Sequence, residues 1–411
     1  MYTRRRATAL LLACVLLLTY RSYWIQHGDG RPQNTVILGD LRDGRPVSQP
    51  WKDVFPPGQP KPAGSEYTRT VVISSMSIDN ISWVDHELSD LFEPAGSFKK
   101  AIYVADNSSA PLHPKKNKGH EAMIYLSYII DHYDKLPDVS IFIHSDRWTW
   151  HNNELLDNDM AAMVRYLKPE KVVKDGYMNL RCHWDPGCPN WLLLWEQGNQ
   201  ENIQKHEEKA IAERWHELFP MDRMPAMLSQ PCCAQFALSR ERILAIPLQR
   251  YIFLRSWILR TPLEDYFSGR VFEYLWQYIF TGNAEVCPAM HECYCEGYGM
   301  CFGGPEKFDE WFALRMKKQK HESQILRMKK GAKDAAKDSK ATSKPDLLDM
   351  DDEEDEDDED EDDSDKASGA RMAELQQKVN QMKQELAKLR DNAFLLGHPD
   401  LAKEAGLKVD S

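Results

Sequence analysis

The sequence lacks a glycine-rich phosphate loop, a Ser/His/Asp nucleophile elbow and a His-Glu-x-x-His zinc motif. Those absences exclude P-loop nucleotide hydrolases, elbow-type hydrolases and zincin peptidases as templates. Positive charge is not in excess either. The formal net charge is -12, yet residues 349–365 alone hold fifteen acidic side chains, which leaves the remainder near +3. No basic surface for a nucleic acid partner follows from that balance.

Long apolar runs are scarce, and the one that exists is near the start of the chain. Arg4, Arg5 and Arg6 precede a short apolar stretch ending near Tyr20, with Tyr23, Trp24 and Ile25 able to extend it. No small-x-small cleavage site follows, so an uncleaved signal anchor is favoured over a removed signal peptide. The arginines keep the tip cytosolic and place everything after it in the lumen of the endoplasmic reticulum or Golgi. If the segment is cleaved instead, the product is secreted. Two sequons, at Asn80 and Asn107, suit that side of the membrane. Apart from Cys14 the cysteines number eight and cluster in turn-rich stretches, as lumenal disulfides do. Zinc is the rival reading, but Cys293-Tyr-Cys295 lacks the usual two-residue spacer of zinc knuckles. Spacing does not give the connectivity.

Composition divides the rest. Residues 1–25 read as tip and anchor, and 26–66 as a proline-rich stem. Residues 67–305 read as a lumenal α/β domain, 306–330 as a basic helix and 331–369 as a disordered lysine-rich, then acidic, linker. Within the domain, "TVVISSM", "KAIYVAD" and "DVSIFIHSD" read as strands separated by helical stretches, notably "GHEAMIYLSYIIDHY". Strand, helix, strand, helix, strand predicts a Rossmann-like, mostly parallel sheet with flanking helices. "CCAQFALS" adds a strand. Near the end, Met372, Leu375, Val379, Met382, Leu386, Leu389, Ala393 and Leu396 repeat with 3,4 spacing over residues 370–397, before a tail at 398–411. That seam predicts either a homodimeric coiled coil or a solitary amphipathic helix.

Ligands of open parallel sheets bind outside the carboxyl ends of the strands. The three strands run into Asp79, Asp106 and the His144-Ser-Asp146 group. Asp79 and Asp106 suit a nucleotide ribose, whereas His144 and Asp146, two apart and on one side of an extended chain, suit a divalent cation, manganese or zinc by ligand type rather than magnesium. His151 and Arg147 could assist. The segment has no paired Asp-x-Asp at the strand end, and each residue also has a plain structural use as a cap, a core hydrogen bond or packing. For a general base the candidates are Glu264, Asp265 and Glu273. Glu273 stands out because its aromatic and apolar neighbours would raise its pKa, although a salt bridge to Arg270 is an equal alternative.

The blocks "NKGHEAMIYLSYIIDHYDKLPD", "IFIHSDRWTWHN", "CCAQFALSRERI" and "FEYLWQYIF", in that order, resemble a largely fungal family catalogued as domain of unknown function 3431. That resemblance supplies no catalytic residue; relatives often carry His where this chain has Asp146. More distantly, the tip-anchor-stem-domain order resembles type II membrane glycosyltransferases. The expected function is therefore transfer of a sugar from a nucleotide sugar to an acceptor in the secretory pathway. The alternatives are a non-catalytic scaffold that recruits partners through its tail, and a metal-dependent hydrolase.

Overall fold

Apolar runs too short for a helix and rich in β-branched residues become strands. The computed structural model describes residues 55–93, 96–189, 191–194, 206–342 and 359–404. Its strands are β1 (Arg69–Ser75), β2 (Phe98–Val104), β3 (Val139–His144), β4 (Tyr177–Asn179), β5 (Leu192–Leu193), β6 (Met227–Leu228) and β7 (Phe236–Ser239). Helices α1 (Ser82–Glu87), α2 (His120–His132), α3 (Met160–Tyr166) and α4 (Pro169–Asp175) precede β4. Then follow α5 (His206–Leu218), α6 (Arg240–Leu244), α7 (Leu248–Arg260), α8 (Asp265–Glu273) and α9 (Trp276–Thr281). The chain continues through α10 (Met290–Tyr298), α11 (Pro305–Thr342), α12 (Glu359–Gly397) and α13 (Pro399–Glu404).

Five strands form one sheet in the order β2-β1-β3-β7-β4. The three strands read from the sequence are parallel to one another, β1 pairing with both β2 and β3. β7 is reversed, antiparallel to β3 and to β4. The α/β expectation therefore holds, with a mixed sheet in which β7 departs from the parallel rule. β5 and β6 form a separate ribbon.

The chain divides into two compact units, the first built from residues up to 81, 89–145 and 172–287, the second from 82–88, 146–171 and 288–411. The sheet and its core lie in the first. Tyr125 of α2 packs on Phe142 of β3 and Phe236 of β7 at centroid distances of 5.0 and 5.6 Å, and Trp276 of α9 stacks on Phe280. These large rings, all nearly inaccessible to solvent, explain why helices with modest amphipathic contrast still dock on the sheet. At the opposite edge from the carboxyl ends, Asp138 locks the start of β3 by accepting from Thr68 N and Lys61 Nζ, both at 2.7 Å. Residues 55–66 have no helix or strand, but Phe55 packs against the core.

In the second unit α11 and α12 form a hairpin. Ile325 and Met328 of α11 cover Leu375, Val379 and Met372 of α12, and Lys383 pairs with Glu322 at 3.1 Å. Rising numbers on one helix meet falling numbers on the other, so the two run antiparallel. The heptad seam is thus covered by its own chain. Helical bounds reach into both ends of the linker expected to be disordered, and residues 343–358 lie outside the described part. So do the expected tip, anchor and stem up to residue 54. Among the described residues no helix is long and apolar enough to cross a membrane.

All eight cysteines after Cys14 are disulfide-bonded, which fits an oxidising compartment. Cys188 bonds Cys287, Cys295 bonds Cys301, and the neighbours Cys232 and Cys233 bond each other.

Candidate functional site

The carboxyl ends of β1, β2 and β3 share one edge, because the three strands are parallel and in register. Asp79 accepts from Met76 N at 2.8 Å and from Ser145 Oγ at 2.7 Å, tying the loop after β1 to the end of β3. Asp106 accepts from Ser77 N at 2.8 Å and from Ser77 Oγ at 2.9 Å. Those two bonds, backbone first, hold the exposed Asp106 carboxyl below the usual carboxylate range. Both acids thus organise loops at the strand ends, Asp79 through Met76 and Ser145 and Asp106 through Ser77. His144 ends β3 half-buried, and its N–H donates to Gln235 Oε1 at 3.2 Å. Asp146 is exposed. Among the described residues no group of three or more His, Cys, Asp or Glu side chains gathers as a metal site would require.

Arg147 and His151 belong to the second unit. Arg147 forks onto both oxygens of Asp159 at 2.9 Å and reaches Glu87 at 2.6 Å with its remaining nitrogen. Asp159 also caps α3 by accepting from Ala161 N. The guanidinium stacks on Trp148, and His151 meets Trp150 edge-on at 4.4 Å. Arg147 is thus a clamp between two carboxylates. Charge-assisted bonds of this kind contribute about 1.5–3 kcal/mol, so Arg147→Met is expected to lower stability by roughly 2 kcal/mol in urea unfolding. An unchanged midpoint would show the clamp to be energetically idle.

Glu273 sits in a different and richer setting, within the first unit. It ends α8 and pairs with Arg270 Nη1 at 2.5 Å. The same guanidinium bonds Glu207 Oε1 at 3.1 Å and the Tyr274 hydroxyl at 2.5 Å. Burial raises the Glu273 pKa, while Arg270 and a backbone bond from Cys233 pull it down without cancelling the rise. Both alternatives weighed for Glu273, the perturbed acid and the salt bridge, coexist. Of the other two base candidates, Glu264 is exposed, and Asp265 accepts from Gly119 N at 2.6 Å and lies 3.3 Å from His120 Nε2.

That contact brings α2 to α8. Gly119 has φ 81°, and a Cβ there would meet Ile258 at 2.5 Å, so only glycine fits. The next residues start α2 and set Glu121 in its first turn. Part of the Glu121 residue stays accessible, but its carboxyl is enclosed by protein. That enclosure, aided by the negative charge of Glu273 and opposed by Arg270, pushes it up to about 8. Desolvation here outweighs the helix N-terminus, which by itself favours the anion. Below Glu121 the Tyr125 hydroxyl is buried without a hydrogen-bond partner among the described residues, and burial plus the Glu121 charge raise its pKa far above normal.

The reversed β7 brings one more segment to this end of the sheet. Since Phe236 pairs with Phe142, the residues before β7 arrive at the carboxyl end of β3. There Cys233 and Ala234 have φ of 94° and 48°, left-handed values uncommon for residues with a Cβ. Glu121, Glu273, Arg270 and Glu207 thus form an acidic cluster, and the backbone of Cys233, just before β7, bonds Glu273. Two carboxyls of unequal environment are what acid-base chemistry at neutral pH requires.

Sequence reasoning reached Glu273 but missed Glu121, Glu207 and Tyr274, and took Arg270 only as a salt-bridge partner. A signal for Glu121 was present: it lies in the first turn of a helix whose residues from Ala122 to Ile129 are all buried, Tyr125 and Tyr128 among them. An acid on a buried face is informative in a way an exposed one is not.

The family model described as "Protein of unknown function (DUF3431)" matches residues 71–296. No curated protein and no solved structure matches the chain.

Proposed function

We propose, for a chain that belongs to the DUF3431 family and inherits no activity from that description, that the acidic cluster around Glu121 transfers a glycosyl group from a nucleotide sugar to an acceptor hydroxyl. The observation that supports this most is the enclosed Glu121 carboxyl, with a pKa of about 8 beside Glu273, in a residue that is itself partly accessible. A carboxyl so poised can take a proton from a hydroxyl at near-neutral pH. In the transfer the acceptor oxygen forms the new bond to the anomeric carbon, and its proton passes to Glu121. The bond from that carbon to the diphosphate breaks, and the nucleoside diphosphate leaves.

Glu121 suits the base role better than Glu273, whose Oε2 is engaged by Arg270. Glu273 acts through its charge, which raises the proton affinity of Glu121. Asp106, kept anionic at the strand end, is the acceptor for a ribose hydroxyl. A divalent cation held by His144 and Asp146 stays outside this scheme, because no three-ligand group gathers among the described residues, and no step is derived through it. The disulfides support a lumenal setting. The anchor reading of the first 25 residues adds a membrane tether.

The test is thermal unfolding of the whole chain against a panel of nucleoside diphosphates and nucleotide sugars, with and without manganese. A true donor at a hundredfold excess over its Kd is expected to stabilise by about 2.7 kcal/mol. Turnover of that donor should rise with pH through about 8 as Glu121 loses its proton, and Glu121→Gln should keep binding while losing turnover by a factor of about 100 or more. Binding and cleavage with water as the acceptor would move the assignment to a hydrolase. A folded protein that no donor stabilises would leave the binding-scaffold reading in its place.

A further inference from the structure

The first unit has a cavity of about 330 Å³ whose lining includes none of Glu121, Glu207, Arg270 or Glu273. Its apolar wall includes Phe219, Ile246 and Ile279, and Met221 beside it is 91% exposed. One cation lines this wall. The Arg250 guanidinium lies 5.1 Å from the ring centroid of Phe219 and 5.2 Å from that of Phe253.

Among the described residues Arg250 makes no side-chain hydrogen bond and no ion pair within 4.0 Å. Burial works against its charge and lowers its pKa, with Asp222 and Tyr278 acting the other way. Asp222 lines the same cavity and accepts from the Tyr278 hydroxyl at 3.2 Å. Arg250 is half-buried, so its guanidinium has lost part of its water, a loss that is costly unless hydrogen bonds replace it. Its planar fork fits a carboxylate or phosphate, while the walls fit hydrocarbon.

We propose that this cavity binds a small amphiphile, an apolar chain ending in one anionic oxygen group, with the head on Arg250 and the chain against Phe219, Ile246 and Ile279. Asp222 keeps its bond to Tyr278, so the incoming anion is the direct partner of the guanidinium. Met221, flexible and polarisable, adapts to the part of the chain that leaves the cavity.

Isothermal titration of the full chain below micellar concentrations tests this with three probes: octanoate, octyl phosphate and octanol. Both anions are expected to bind, and octanol at least about tenfold more weakly, because a hydrogen bond to a charged group is worth that much. Arg250→Met should weaken both anions by about tenfold or more and leave octanol unchanged. Ala245→Trp, at an exposed lining position, should weaken all three by filling the space. Asp222→Asn should tighten the anions by removing a competing charge. The stronger of the two anions identifies the head as a carboxylate or a phosphate. Equal binding of octanol and octanoate overturns the proposal, as does unchanged octanoate affinity in a folded Arg250→Met, or no anion binding to the folded wild type.

Discussion

Glu121→Gln is expected to stabilise the folded protein at pH 8 while abolishing its turnover. In the native state the carboxyl keeps its proton up to about 8, against an ordinary value of 4.5. Between those values the native state binds more protons than the unfolded chain, so stability falls as pH rises. The loss begins near 4.5 and levels off above 8. Glutamine has no proton to lose and escapes it. The gain at pH 8 is on the order of a few kcal/mol, whereas at pH 4 the variant and the wild type should be alike. Urea unfolding of both at the two pH values measures this without any substrate. Parallel behaviour across pH would mean that Glu121 titrates normally and would remove the basis for its role as a base.

Arg270→Met carries the second large expected effect, of opposite sign. The guanidinium serves Glu207, Glu273 and Tyr274 together, and the side chains of the two acids are each only 11% exposed. Removing one partner of a buried ionic group leaves charges uncompensated, at about 3–5 kcal/mol. The damage should shrink as pH falls, since burial raises the Glu273 pKa and a proton on that acid removes its uncompensated charge. Arg270→Lys restores the charge but not the three-way fork, and should recover only part of the loss. Chemical unfolding at pH 7 and pH 5 separates these outcomes. A loss that is independent of pH would point to packing of the arginine stem instead.

The pattern of legibility follows from which interactions are local. β1, β2, β3 and α2 were readable because alternation, helical periodicity and chain order are properties of adjacent residues. So was the seam from Met372 to Leu396, although its cover is α11 of the same chain, a tertiary choice that no heptad encodes. The reversed direction of β7 was not readable, since "CCAQFALS" is equally good as a parallel strand. Strand-end acids were correctly placed at the rim, yet Asp79 and Asp106 turn out to tie loops together. Glu121 was hidden for another reason: its environment depends on Glu273, more than a hundred residues away, brought close by the Gly119–Asp265 contact. Disulfide chemistry was legible from count and clustering, and the bond between adjacent Cys232 and Cys233 was not.

The reversed strand has a consequence for how the protein could be altered. In a purely parallel sheet every active loop departs from a strand, so catalytic variation and strand order are read off the same connections. Here the loop that reaches the edge before β7 is an arrival, and the connection after β7, into α6, belongs to the quiet side where Asp138 secures β3. Insertions or tags placed next to Arg240 should therefore leave the acidic cluster untouched, whereas a single residue added between Cys233 and Phe236 would displace the backbone that bonds Glu273.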